Sequence, residues 1–225
     1  LGSLRHTELF LSSFIEGNQT ILSPTPFINS VHNTISGEIA LHTQNKGYNS
    51  TYSQGGLSFE GALLDAMLLT KENKNVILGG VDETTPSLDE VLNKIGSKNL
   101  FTTGSSFFNL SPNKKKSLAE ITHCMIIKKN KLSEIIESSF QTDQDLIMSG
   151  SSNCRNLGNR THLNYSKYSG IYMTNSAFAL QLAVEILNRA DITEVDGYEI
   201  PINLKRVFII NQSSNNDIGL IVVKI

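Results

Sequence analysis

GYNSTYSQGGLSFEGALLDAMLLTKENKNVILGG, residues 47–80, carries the pattern that decides the fold. GYNSTYS (47–53) reads as a strand, and Gly55-Gly56 breaks it directly before a helix. Over residues 57–70, Leu57, Leu64 and Leu68, with Phe59, Ala62, Leu63, Ala66 and Met67, spread apolar surface around much of that helix, which is expected to be largely buried. A polar turn at 71–75 follows, and NVILGG (75–80) reads as a fully buried strand with glycines at its end. Strand, tight glycine turn, helix and strand make a βαβ unit, which implies a parallel sheet in an α/β fold.

Toward the N-terminus, Leu9, Phe10, Phe14 and Ile15 share one helical face over residues 7–15, and Gly17-Asn18 supplies a stop. SPTPF (23–27) is expected to be an extended or turn segment, because proline disfavours helical geometry in the residue before it. Another helix is expected over about 29–41. The sequence opens at Leu1 without a strand ahead of its first helix, so the first strand of the α/β unit is expected to be lacking.

Toward the C-terminus, SSFFNLS (105–111) and AEITHCMIIKK (119–129) read as two strands across a lysine-rich loop, placed to pair as a hairpin. A helix near 132–140 leads to a buried strand at 145–150, and SGSSNCRNLGN (149–159) reads as a loop. SAFALQLAVEILNRA (176–190) is a strongly apolar helix, and RVFIINQ (206–212) with DIGLIVVKI (217–225) closes the chain as two strands. This second buried helix among strands echoes the first, a weak two-fold duplication that suits a layered α/β architecture.

The chain has 225 residues, 39% of them apolar, enough to bury a substantial core. A net charge of −2 provides no basic field for nucleic acid. No run of about 18 apolar residues occurs and no signal-peptide pattern opens the chain, so a cytoplasmic protein without membrane insertion is expected. Cys124 and Cys154 lack CxxC spacing, and no histidine pattern suggests ligands, so neither a metal nor a cofactor is expected. Gly79-Gly80 belongs to no GxxxxGK[ST] motif, which argues against a phosphate loop.

Three segments together, SPTPFINSVHNTISGEIAL (23–41), the glycine-punctuated turn at 53–57 and NVILGGVDE (75–83), resemble the β-ketoacyl synthase family of the thiolase superfamily in order and spacing. More narrowly, SVHN, GLSFE and the short length are similar to the reduced synthase-like proteins and chain-length factors of aryl-polyene or flexirubin pathways. The resemblance implies a thiolase-like layered fold of two related βα halves, about 1–130 and about 131–225, packed intimately as one domain over 1–225 and shortened at the N-terminus. It also implies partners: a catalytic ketoacyl synthase subunit in a heterodimer, or a second copy, with acyl carrier protein as a further candidate.

A ketoacyl synthase holds its nucleophilic cysteine where a strand enters a buried helix, so that the helix N-terminus lowers the thiol pKa and supports the oxyanion. Counting from Gly56-Leu57 puts Ser53 at that elbow, and counting back from Gly79-Gly80 puts Gln54 there. Neither is cysteine. The resemblance also calls for two histidines, and Ser149 and Ile171 stand at those positions. Three coincident absences favour a chain-length-factor-like partner without condensing activity. A serine can attack a thioester only with a positioned base, so acyl transfer through Ser53 is the alternative, beside a module that only binds acyl chains or carrier protein.

His32 and Asn33 line the acyl tunnel and subunit interface if the resemblance holds, or satisfy buried backbone groups near the turn. Cys124, among Ile121, Met125, Ile126 and Ile127, is expected in the core. Cys154 beside Arg155, with His162 further on, allows a Cys-His pair but lacks a strand-to-helix turn behind it. His6, His42 and His123 are expected to be structural or at the surface. Lys114, Lys115, Lys116, Lys128, Lys129 and Lys131 are either solvated or placed to steer an acidic carrier protein.

Overall fold

The computed structural model describes residues 3–16, 23–96, 101–141, 143–150, 157 and 162–225. Three short helices come first: α1 (Leu4–Ile15), α2 (Pro24–Ser30) and α3 (Thr34–His42). The expected extended segment at SPTPF is instead the start of α2. Pro24 occupies its first turn, where a missing N–H costs nothing and the fixed φ favours the helix. The single helix expected over 29–41 is divided, because Val31 is extended and breaks the ladder between α2 and α3. Phe10 of α1 packs edge-on against Phe14, with centroids 5.0 Å apart, and at a tilt against Phe27 of α2 at 5.1 Å.

A 3-10 turn over Gly55–Leu57 then opens into α4 (Ser58–Lys71) and β1 (Val76–Asp82). Residues 47–53, expected as a strand, pair with no neighbour among the described residues. A strand exists through its neighbours' backbone hydrogen bonds, and here side chains tie the segment to α3 instead. Asn49 Nδ2 donates to the Ser36 carbonyl at 2.9 Å, and the Ser36 and Thr51 hydroxyls are 3.0 Å apart.

After α5 (Pro86–Lys94) come β2 (Gly104–Leu110), β3 (Glu120–Lys128), α6 (Leu132–Ser139) and β4 (Asp145–Ser149). The chain ends with β5 (Leu163–Asn164), α7 (Ser166–Ser169), α8 (Asn175–Asn188), a small ribbon of β6 (Glu194–Val195) and β7 (Tyr198–Glu199), then β8 (Arg206–Gln212) and β9 (Asp217–Lys224). The hairpin expected between 105–111 and 119–129 does not form. β2 pairs antiparallel with β1, and β3 pairs antiparallel with β9. Glycine explains the first pairing: Gly79 lies opposite Phe107, whose ring occupies the space where a Cβ would stand. β1 is thus half-buried with alternating exposure rather than buried on both faces, and no parallel βαβ unit forms around it.

Parallel pairing occurs in the five-stranded sheet, ordered β3-β9-β8-β4-β5, where β4 runs parallel to both β8 and β5, and β9 antiparallel to its neighbours. Every residue of β4 is buried, as an apolar run between two covered faces requires. One face, with Leu146, Met148, Val207, Ile209, Ile221 and Val223, packs on α4 and α8. The other, with Ile147, Phe208, Ile210 and Leu220, packs on Leu132 and Ile136 of α6. The β1-β2 hairpin covers the far side of the two helices, with Phe108 5.9 Å from Phe59 of α4 and Leu78 in the same core. Each buried helix precedes an antiparallel strand pair: β1-β2 after α4, with α5 between the strands, and β8-β9 after α8 and the β6-β7 ribbon. The result is the layered, thiolase-like α/β fold.

The register between β4 and β8 sets Asp145 beside Arg206. Arg206 donates from Nε to Oδ1 at 2.8 Å and from Nη2 to Oδ2 at 2.6 Å, onto a carboxylate with no solvent exposure. Removing the guanidinium leaves that charge buried and unpaired, so Arg206→Met should cost about 3 kcal/mol in urea denaturation, and a loss under about 1 kcal/mol would deny the pair its role.

Candidate functional site

Between coil and α4, Gly55 takes φ +62°, a left-handed conformation that glycine adopts without penalty. Ser58 Oγ fixes the turn. It accepts from the Gln54 amide at 2.8 Å and donates to the Gly55 carbonyl at 2.8 Å. Leu57 is buried beneath, while Ser53 and Gln54 are exposed. The Gln54 carboxamide lies over Gly61, where a Cβ would stand 2.8 Å from its Oε1. The Ser53 hydroxyl makes no hydrogen bond among the described residues. The phenol of neighbouring Tyr52 is no base for it: burial first, then hydrogen bonds with Tyr48 and Asp65, push its pKa up to about 12.

The second half meets the elbow through β8. Asn211 Nδ2 donates to the Gly56 carbonyl at 2.6 Å, and Gly56 packs against Ser213. Ser149, at the end of β4, is buried and aligned with Ile210 of β8. Ile171 is half-exposed and forms a parallel bridge with Phe101. A polar network joins these two positions: Ser166 Oγ donates to the Gly150 carbonyl at 2.8 Å, and Asn175 Nδ2 reaches Ser166 Oγ at 3.2 Å and the Gly170 carbonyl at 3.4 Å. The elbow and the end of β4 therefore meet the same end of β8, while Asn175 and Ser166 tie Gly150, after β4, to Gly170, the residue before Ile171.

His32 and Asn33 are exposed between α2 and α3, so neither serves a buried backbone group. His32 lines a groove of about 570 Å³ between α3, the 45–52 segment, α4 and β1, whose apolar walls include Ile35, Ile39, Phe59 and Phe107. Cys124 is buried on β3, its thiol pushed up to about 12 by burial and then by the charge of Glu60. Cys154 and Arg155 lie outside the described residues. Among the described residues no cluster of histidine, cysteine and acidic side chains is placed to hold a metal ion, and no helix is long and apolar enough to cross a membrane.

The residue that sequence reading passed over is Glu60. It stands in the first turn of α4 at helical spacing from Leu57, Leu63 and Leu64, on the buried face, and that spacing is the signal that could have singled it out. Its side chain is fully buried. Oε1 accepts from Asn211 Nδ2 at 2.9 Å, and Oε2 has no partner among the described residues. Burial raises its pKa, opposed by Asn211, its own amide and the Ser176 hydroxyl. β9 makes room with Gly219, where a Cβ would stand 2.6 Å from the Glu60 side chain.

The glycine turn ahead of one buried helix thus meets the strand ends of the five-stranded sheet in a layered, thiolase-like fold. Residues 2–146 match the β-ketoacyl synthase N-terminal domain, and the chain belongs to that family. Solved structures that share its fold include three condensing-enzyme complexes or synthases. A type II polyketide ketosynthase in complex with its acyl carrier protein (AntDE:AntF) superposes with a TM-score of 0.78 at 12% identity, over 99% of this chain and 73% of that one. A β-ketoacyl synthase from Burkholderia phymatum gives 0.66 at 12% identity, over 100% and 72%. The ishigamide ketosynthase/chain length factor gives 0.71 at 13% identity, over 100% and 70%. No curated protein matches the chain in sequence.

Two outcomes follow from the Glu60 site. Gly219→Ala should destabilise the fold by about 1–3 kcal/mol through overpacking, and less than additively when combined with Glu60→Ala, as a double-mutant cycle would read. The raised carboxyl also fixes the sign of a pH effect. Its stabilising contribution is complete below the ordinary value of 4.5 and is lost as pH rises toward the folded-state value. Glu60→Gln should therefore gain on the native protein by up to about 1.4 kcal/mol per pH unit in that window, measured by urea denaturation, and parallel pH profiles would contradict the assignment.

Proposed function

We propose that this protein is a chain-length-factor-like partner that pairs with a catalytic β-ketoacyl synthase in fatty-acid or polyketide-type biosynthesis, of the aryl-polyene kind, and does not itself condense. The observation that carries this reading is the elbow: Ser53 and Gln54, neither of them a cysteine, stand before the left-handed Gly55. A condensing enzyme needs a thiolate there and two groups to manage the thioester oxygen and the leaving carboxylate. Ser149 and Ile171 offer a buried hydroxyl and an alkyl side chain at the corresponding strand and helix positions. Gln54 laid along α4 is suited to fill space at the elbow rather than to attack.

The solved relatives agree with this reading in kind: one is a ketosynthase bound to an acyl carrier protein and another a ketosynthase/chain length factor. In this reading the whole chain acts as one domain of two packed halves, with His32 and Asn33 on the side that faces the acyl chain or the partner. The lysine-rich turn over Lys114–Lys116 leaves Lys115 and Lys116 exposed while Lys114 binds Glu120, and such a patch would speed encounter with an acidic carrier protein.

Acyl transfer through Ser53 is the second reading, favoured by the exposure of its hydroxyl near the start of α4. Co-expression with ketosynthases encoded alongside it, followed by affinity capture and condensation assays on carrier-bound malonyl and acyl groups, separates the two. The expected result is a persistent heterodimer and no condensation by the protein alone. Condensation by the protein alone that Ser53→Ala abolishes would overturn the proposal.

A further inference from the structure

Glu60 is placed where a carboxyl has no structural reason to be. The core around it is closed, its Oε2 has no partner among the described residues, and its main-chain carbonyl accepts the Cys124 thiol at 3.7 Å. The amide nitrogen that reaches Glu60 Oε1 is the same one that holds the Gly56 carbonyl, and it also approaches Ser176 Oγ at 3.4 Å. One side chain, Asn211 of β8, thus ties together the elbow turn, the first turn of α4 and the start of α8. The elbow side of this knot is open to water through Ser53, Gln54 and Gly55, whereas the α8 and β9 sides are closed.

We propose that Glu60 and Asn211 form a proton-operated latch: the neutral Glu60 carboxyl shares the Asn211 amide with Gly56 and holds the elbow against β8, and loss of its proton releases the turn. A carboxylate in this closed site would have to regain water, and separating the elbow and the first turn of α4 from β8 is the shortest way to let water in. The groups that face Glu60 reinforce the dependence on its own proton. α8, β8 and β9 bring Ser176, Asn211 and Gly219, none of which titrates. β3 brings Cys124, which burial keeps neutral, and β1 and β2 bring Leu78 and Phe108 to the same helix. On α4 itself, Asp65 and Lys71 lie more than a turn away, Asp65 on the groove side with Tyr52. No cation is therefore placed to hold Glu60 as an ion pair among the described residues.

Amide hydrogen exchange of the native protein over a pH series, corrected for the intrinsic rate at each pH, tests the latch. If opening of the elbow exposes Glu60, the opening constant at Gln54 and Ser58, whose amides are hydrogen-bonded across the turn, rises about tenfold per pH unit above the ordinary carboxyl range, since one proton is released per opening. The core amides of Leu146–Met148, in a strand buried at every residue, supply the reference for global unfolding. The latch predicts elbow amides that open far more readily than β4 yet carry the same tenfold slope, and lose it in Glu60→Gln. Elbow amides whose opening is independent of pH while β4 shows the slope would overturn it, because Glu60 then meets water only when the whole protein unfolds. A slope retained in Glu60→Gln would overturn it equally. Should that variant fail to fold, the comparison of elbow with β4 in the native protein decides alone.

Discussion

Two helices, α4 and α8, must share one layer between the five-stranded sheet and the β1-β2 hairpin, and the rest of the molecule follows from how closely they can approach. Glycine sets that approach on both sides. Gly219 lets β9 meet the Glu60 side chain, and Gly80 lets β1 meet Thr174 at the N-cap of α8 and Ala177 within it, where a Cβ would stand 2.9 Å from the threonine. The helices in turn seal the inner face of the sheet, which is why β4, β8 and β9 are apolar on both faces. The start of α4 is then fixed against the end of β8, and the elbow cannot be placed anywhere else.

The parts of this fold that were legible in the sequence are those whose residues report their own surroundings. DLIMS, VFIIN and IGLIVV are apolar at successive positions because both faces of the sheet are covered, and the apolar α8 lies between two layers. What the sequence did not disclose depends on neighbours. GYNSTYS has the composition of a strand but no partner strand, so its polar groups bind α3 instead. The pairing of β2 with β1 rather than β3 rests on Gly79 accepting the ring of Phe107, a cross-strand fit that spacing alone does not encode. Pro24 restricts the residue before it, which suggests an extended segment, yet its own place is the first turn of α2.

The same distinction holds at the site. Ser53, Gln54, Ser149 and Ile171 are singled out by the spacing of the family the sequence resembles, and the structure sets the turn after Gln54 and the end of β4 at the same end of β8. Glu60 could not be found by asking where a thiol or histidine should be. Its meaning lies in Asn211 and Gly219, over 150 residues further along, and in the burial that leaves one carboxyl oxygen without a partner. The turn at Gly55–Leu57 is clamped from β8 through Asn211, with Ser53 and Gln54 ahead of it; in the reading proposed above it keeps the shape of a condensing site without its nucleophile.

That claim is tested most directly by intact-mass analysis of the purified protein after incubation with acyl-loaded carrier protein, with a catalytic ketosynthase as the positive control. The expected result is an unchanged mass for this chain alongside an acylated control. An acyl adduct that maps to Ser53 would show that the elbow still attacks, and the account of a shape kept without its chemistry would be wrong.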